Sequence, residues 1–196
     1  RLIVVSDNGT GIQKDDLVLA IENHATSKIS TQEDLQNCNS HGFRGEALAA
    51  IASVANVKIR SKEYRSENGF ELAKTNGDWD VFLSPGHSGT DIIVEDLFHN
   101  VPARKRFLKN NTTEFKHCQS IFTQLSLVYP RIEFSLFHQG RDVLLLRKSS
   151  GLSRFAEIFK LKDEQVKVAS RQFEDLKINL FISTNQEASK NVPSFV

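Results

Sequence analysis

Short apolar runs separated by polar turns mark out most of this chain. Residues 2–5, Leu-Ile-Val-Val, run straight into Ser6-Asp7-Asn8-Gly9-Thr10-Gly11, a pattern that predicts a strand entering a tight glycine-rich turn. Asp15 and Asp16 precede Leu17, Leu19, Ala20 and Ile21, and acids ahead of an apolar series predict a helix start. Residues 23–41 are polar. A stretch of that length predicts a functional lid, with a short helix near residues 31–36. Gly42-Phe43-Arg44-Gly45 then leads into Glu46-Ala47-Leu48-Ala49-Ala50-Ile51-Ala52, whose alanines and apolar faces predict a buried helix.

Residues 57–60, 69–74, 79–83 and 90–95 predict strands, with Asn76-Gly77 as the clearest hairpin signal. Phe115, Cys118, Ile121, Phe122, Leu125 and Val128 recur at three- and four-residue steps, and Pro130 follows them. That spacing predicts an amphipathic helix. Residues 132–138 and 142–146 flank Gln139-Gly140 as a second hairpin would. Ser149-Ser150-Gly151 is the best candidate linker, followed by a helix near residues 152–159 and strands near 166–169 and 177–182. The expectation is an α+β chain with one domain over residues 1–148 and the beginning of another over residues 152–196.

Composition narrows the class without naming a function. The 196 residues are 39% hydrophobic and 25% charged, which excludes a disordered tail, a collagen-like fibre and a disulfide-stapled miniprotein. Lys and Arg number 25 against 24 Asp and Glu, a net charge of +1. Nucleic-acid binding would therefore need a local patch, because the whole chain carries no strong field. No stretch is apolar for long enough to span a bilayer as a helix, so no membrane partner is expected. Cys38 and Cys118 are far apart and not spaced as metal ligands, so a reduced, intracellular setting is the simplest expectation. The absence of Met and the abrupt opening strand suggest a fragment.

Five strings could carry chemistry. Asp7-x-Gly9-x-Gly11 sits directly after a strand. A buried carboxylate there could accept a hydrogen bond from a ligand amine, and the glycines would let a flat ring approach the backbone; a plain Asp-Asn-Gly turn fits the same string. Gly42-Phe43-Arg44-Gly45 before a helix offers free N–H groups to a polyphosphate, or simply lets the lid pack. His24-Ala25-Thr26-Ser27-Lys28 supplies two hydroxyls and an ammonium suited to phosphate, or is a solvated loop. Arg104, Lys105, Arg106 and Lys109 could touch DNA phosphates or line a solvated helix face. Thr90, after Gly89 at a strand opening, could support a ligand or serve the strand alone.

Taken in order, these strings resemble the MutL family of DNA mismatch-repair proteins, within the GHKL ATPases. The resemblance rests on Asp7-Asn8-Gly9-Thr10-Gly11-Ile12, on Asn23-His24-Ala25-Thr26-Ser27-Lys28-Ile29 with Gly42-Phe43-Arg44-Gly45-Glu46-Ala47-Leu48, and on Gly89-Thr90 with Asp96-Leu97-Phe98-His99-Asn100-Val101-Pro102-Ala103-Arg104. It covers residues 1–108 by motif. Asn23 stands where family members usually carry Arg.

The resemblance implies an α+β fold: a Bergerat-type ATP-binding α/β sandwich on a mixed sheet, then the start of a ribosomal-protein-like β-α transducer domain. It implies ATP and Mg²⁺ as cofactors. Asp7 would hold the adenine amine, with Gly9 and Gly11 admitting the ring and Thr90 supporting the adenine end. Thr26, Ser27, Lys28, Gly42, Arg44, Gly45, Ala47 and Leu48 would surround the phosphates. ATP would order the lid and promote dimerisation of N-terminal regions, as a homodimer or a MutL-type heterodimer. The cycle would relay a signal among a MutS-type mismatch-recognition protein, DNA and downstream repair factors, in the bacterial cytoplasm and nucleoid or the eukaryotic nucleus. The alternatives are another GHKL enzyme, such as a topoisomerase subunit, and a non-catalytic interaction module. The resemblance also puts the general-base Glu and the Mg²⁺-binding Asn upstream of Arg1, and the lysine that reaches the terminal phosphate beyond Val196. Phosphoryl transfer needs metal, positioned water and charge neutralisation together. The 196-residue chain is therefore expected to hydrolyse ATP negligibly in a steady-state assay, and a turnover comparable to an intact ATPase domain would refute this.

Overall fold

Strand β2 (Asn56–Lys62) alternates exposed and buried positions, and its inward Val57, Ile59 and Ser61 set the sheet's core face. The computed structural model describes residues 1–23, 45–174 and 176–184. The chain forms two compact units, Arg1–Leu108 and Lys109–Val196.

In the first unit β1 (Leu2–Asp7), β2, β3 (Gly69–Thr75), β4 (Asp78–Ser84) and β5 (Gly89–Glu95) form one sheet in the order β1-β5-β2-β3-β4. All four pairings are antiparallel, where the resemblance implied a mixed sheet. The reason lies in the connections. Asn76-Gly77 is a two-residue turn with both residues at positive φ, 54° and 102°, and so tight a link allows only antiparallel partners. β5 starts at the end of the sheet where β1 and β2 finish, Thr90 opposite Asp7 and Gly89 opposite Lys62. It must therefore run back against both.

Leu17, Ala55, Val57, Ile59 and Leu72 form the buried core. Helix α1 (Asp16–Leu19) supplies Leu17, and α2 (Ala47–Ala52) lays Leu48, Ile51 and Ala52 onto the same cluster. The alanine-rich helix is thus half-buried, not buried as expected. It is short, and only the side carrying positions 48, 51 and 52 meets the core, leaving Ala47 and Ala50 outside. β1 forms the sheet edge among the described strands, and all six of its residues are exposed. Helix α3 (Pro102–Lys105) closes the unit with Pro102 in its first turn.

The second unit contains α4 (Asn111–Val128), the hairpin β6 (Phe134–His138) and β7 (Arg141–Leu146), α5 (Gly151–Phe159), and the hairpin β8 (Val166–Phe173) and β9 (Leu176–Ser183). Gln139 and Gly140 turn the first hairpin at positive φ, 50° and 73°. Asn110 caps α4 by accepting the Thr113 N–H at 2.8 Å. Ser150, within the expected linker, caps α5 by accepting the Ser153 N–H at 3.1 Å.

The expected apolar face of α4 is buried only in part: Phe115 stacks on His138 with ring centres 3.8 Å apart and Phe122 meets the Phe134 ring edge-on at 5.5 Å, both half-buried. Thr123 and Ser126 are the helix's buried residues, while Cys118, Ile121, Leu125 and Val128 are exposed. The two hydroxyls satisfy themselves locally, Thr123 on the Gln119 carbonyl at 2.9 Å and Ser126 on the Thr123 carbonyl at 2.8 Å. Their small size admits Arg154, fully buried at 0% exposure. Its guanidinium donates to the carbonyls of Ser126 (3.0 Å), Pro130 (3.2 Å), Ile132 (3.0 Å) and Arg147 (2.6 Å), and lies 5.8 Å from the Phe134 ring centre. Burial pushes its pKa down, opposed by Glu157. Arg154→Met fills the volume but removes the shared donor; the Pro130 carbonyl keeps the Ser149 N–H at 2.9 Å, and each carbonyl left buried without a donor costs roughly 1–3 kcal/mol. We expect a loss of about 3 kcal/mol, read as a lower urea midpoint; an unchanged midpoint would remove Arg154 from this role.

Candidate functional site

β1, β5 and β2 bring Asp7, Thr90 and Ser61 onto one rung: Asp7 pairs with Thr90, and Thr90 with Ser61. Alternation puts all three on the core side, one step beyond Ile92 and Ile59. Ser61 is 4% exposed and Thr90 7%. The Ser61 hydroxyl donates to the Gly89 carbonyl at 3.0 Å, accepts the Ile12 N–H at 2.8 Å, and meets the Thr90 hydroxyl at 2.9 Å. One buried side chain therefore ties the end of the Asp7–Gly11 turn to two strands.

Asp7 itself is exposed, not the buried carboxylate the strand end suggested. It stands on the edge strand, and its Oδ1 turns back to accept the Gly9 N–H at 2.8 Å. That bond makes the local turn. Its Oδ2 makes no hydrogen bond among the described residues. From the opposite face His87 Nε2 lies 3.0 Å from the Asp7 main-chain oxygen and 3.7 Å from Asp91 Oδ1, which also takes the Ser6 hydroxyl.

At this turn two glycines are required by close approach; Gly69, where a Cβ would lie 2.6 Å from the Ser84 carbonyl oxygen, is a third in the sheet. Gly11 has φ +79°, and a Cβ there would lie 2.3 Å from the Lys62 carbonyl oxygen. Gly89 has φ +122°, and a Cβ would lie 2.0 Å from the Asp7 carbonyl oxygen. The turn is pressed onto the ends of β2 and β5, and a side chain at either point would wedge the rung open.

Gly45, at φ +63°, leads into α2. Beyond it Ala47 is exposed and Leu48 packs on the core. Thr26, Ser27, Lys28, Gly42 and Arg44, with the expected lid helix, lie outside the described residues. The Asp96–Arg104 string also finds a place. Phe98 takes φ +63°, unusual for a bulky residue. Its N–H donates to the Val54 carbonyl at 2.6 Å, and Asn100 Nδ2 donates to the Ser53 carbonyl at 2.8 Å. The string therefore clasps the C-terminal end of α2, whose last carbonyls lack helical partners. Arg104, Lys105 and Arg106 are exposed in the first unit, and Lys109 opens the second.

Sequence reasoning missed Ser61 and His87. A signal for Ser61 was present: the alternation Val57-x-Ile59-x-Ser61 places a hydroxyl where the pattern calls for core. His87 had none, since its contact is with backbone from a distant strand.

This fold, with its glycine turn set against a threonine and serine rung, is that of a MutL-type ATPase domain. It superposes on the Aquifex aeolicus MutL ATPase domain complexed with ADP with a TM-score of 0.75 and 31% identity, covering 95% of this chain and 66% of that one. In sequence it is 40% identical over 191 residues to DNA mismatch repair protein MutL of Aquifex aeolicus (strain VF5), which is 97% of this chain and 44% of the relative. It is 43% identical over 159 residues to MutL of Neisseria meningitidis serogroup A, covering 81% of this chain and 24% of the relative. No family model matches the chain. The chain belongs to the MutL family of DNA mismatch-repair proteins, and spans less than half the length of these two curated relatives.

Gly89→Ala should cost more than about 3 kcal/mol, because strained backbone and overlap with the Asp7 carbonyl add. Gly77→Ala, where a Cβ meets nothing within 4 Å, should cost about 1 kcal/mol from its left-handed backbone alone. Denaturant titration of both variants checks this, and equal losses would contradict the close approach.

Proposed function

We propose that this chain is the ATP-binding core of a mismatch-repair ATPase. The observation that carries the reading is the Asp7–Thr90–Ser61 rung with its bare glycine turn, in a chain that superposes on a relative's ADP-bound ATPase domain. Asp7 Oδ2, open among the described residues, accepts the adenine amine. Gly9 and Gly11 leave backbone on which the ring rests. Thr90 supports the adenine end. Gly45, Ala47 and Leu48, with Thr26, Ser27, Lys28, Gly42 and Arg44, surround the phosphates. The clasp on α2 from Phe98 and Asn100 keeps that helix seated.

Mg²⁺, the ion this reading pairs with the triphosphate to neutralise its charge, finds no group of three or more His, Cys, Asp or Glu among the described residues. ATP binding orders the lid and promotes pairing of N-terminal regions, in a homodimer or MutL-type heterodimer. Turnover resets the state and passes the signal between a MutS-type protein, DNA and later factors. In this reading the nucleotide-binding domain runs over residues 1–148, of which 109–148 belong to the second compact unit, and residues 152–196 begin the transducer. The compartment is where the DNA is: the bacterial cytoplasm and nucleoid or the eukaryotic nucleus. No helix among the described residues is long and apolar enough to cross a membrane.

Asp7→Asn replaces an acceptor oxygen with a donor. In the complete protein, its equilibrium dissociation constant for a non-hydrolysable ATP analogue should rise on the order of tenfold to a hundredfold; binding at the wild-type level would reject the nucleotide reading. Arg104, Lys105, Arg106 and Lys109 are the cations proposed to meet DNA phosphates. If Arg104, Lys105 and Arg106 do so, replacing all three by Ala should reduce the slope of log affinity against log salt by roughly 2–3. An unchanged slope would discard them.

A further inference from the structure

The two hydroxyls on the middle rung have one arrangement of protons that satisfies every bond. The Gly89 carbonyl can only accept, so the Ser61 proton points to it across 3.0 Å. The Ile12 N–H can only donate, and at 2.8 Å it occupies one Ser61 lone pair. Ser61 has no second proton to give. The 2.9 Å contact between the hydroxyls is therefore made by the Thr90 proton. Thr90 is left with lone pairs alone. With Ser61 4% and Thr90 7% exposed, water does not compete freely for these protons.

We infer that Ser61 is a specificity-determining residue of the nucleotide site, holding Thr90 as an acceptor so that the site selects a 6-amino purine over a 6-oxo purine. The inference rests on the nucleotide reading above. Asp7, opposite Thr90 in register, is a second acceptor, so the rung presents acceptors toward the base. A 6-amino group donates to such a surface. A 6-oxo group sets its own lone pairs against the buried Thr90 acceptor, and the N1–H that accompanies it can meet only one of the two acceptors, a mismatch that binding sites discriminate against. Ser61 acts from beneath: the wiring gives it no free proton or lone pair with which to meet the ligand.

ATP and inosine triphosphate are the probes, since inosine differs from adenosine only in its 6-oxo group and N1–H. Dissociation constants for both are measured on the complete protein. Wild type should prefer ATP. Ser61→Ala frees the Thr90 proton to turn toward a 6-oxo group, so the ratio of the inosine to the adenosine constant should fall by about tenfold. Ser61→Thr keeps the hydroxyl and should keep the ratio. A merely structural serine would weaken both nucleotides alike and leave the ratio at its wild-type value, which overturns the inference. Should Ser61→Ala not fold, Thr90→Val preserves shape and removes the oriented acceptor. Its ratio should fall too, and an unchanged ratio there also overturns the inference. A wild-type protein that binds neither nucleotide rejects the underlying nucleotide reading, an outcome separate from an unchanged ratio.

Discussion

A buried hydroxyl in an apolar sheet is costly unless every one of its hydrogen-bonding positions is met. At Ser61 all of them are met by groups from two distant parts of the chain: Ile12 after the glycine turn, and Gly89 and Thr90 at the start of β5. Each such bond contributes only about 1 kcal/mol net. Leaving one unmet costs as much or more, so the glycine turn, β5 and Ser61's own strand β2 must arrive together or the rung is penalised. The glycines follow from the same constraint. Gly11 and Gly89 are where the main chains have come too close for any Cβ. The turn that carries Asp7 is thereby fixed by backbone contact and buried polarity, although Asp7 itself stands in the open.

Around this rung the charged residues play a lighter part. Arg60 with Glu71 and Lys58 with Glu95 pair across strands on the sheet's outer face. Glu71 raises the Arg60 pKa through its hydrogen bond and its charge. These groups remain partly exposed, and exposed ion pairs add little. The second unit shows the opposite regime. There one buried cation, Arg154, organises four carbonyls from a helix end, a turn and a strand end, without a carboxylate beside it in that set. Position in the fold, more than charge, decides which ionic group matters.

The two ends of α2 divide the work of the proposed site. Its N-terminal end carries Gly45, Ala47 and Leu48 of the phosphate string. Its C-terminal end is gripped by the Asp96–Asn100 string, at the expense of a left-handed phenylalanine. Strain of that kind persists only where the surroundings over-determine it. Two motifs nearly fifty residues apart in sequence are thus joined through one short helix that rests on Leu17 and Ile59.

Much of this was legible along the chain. Alternation and turn residues predicted the strands, because a pleated strand repeats every two residues and Asn-Gly favours positive φ. The Asp7, Gly9, Gly11 and Thr90 motifs were visible as residue types suited to a purine. Which groups would meet was a matter for tertiary structure. Ser61 became a hub only when β5 inserted between β1 and β2, and His87, just before β5, reached the Asp7 carbonyl only because β5 pairs with β1. The face buried by α4 was shifted from the apolar stripe toward Thr123 and Ser126, beside Arg154, while Phe115 and Phe122 stayed half-buried against β6. Sequence period determines which elements form, since it is a property of neighbours. Pairing order and buried hydrogen bonds depend on residues far apart, and only the assembled sheet brings their donors and acceptors within reach.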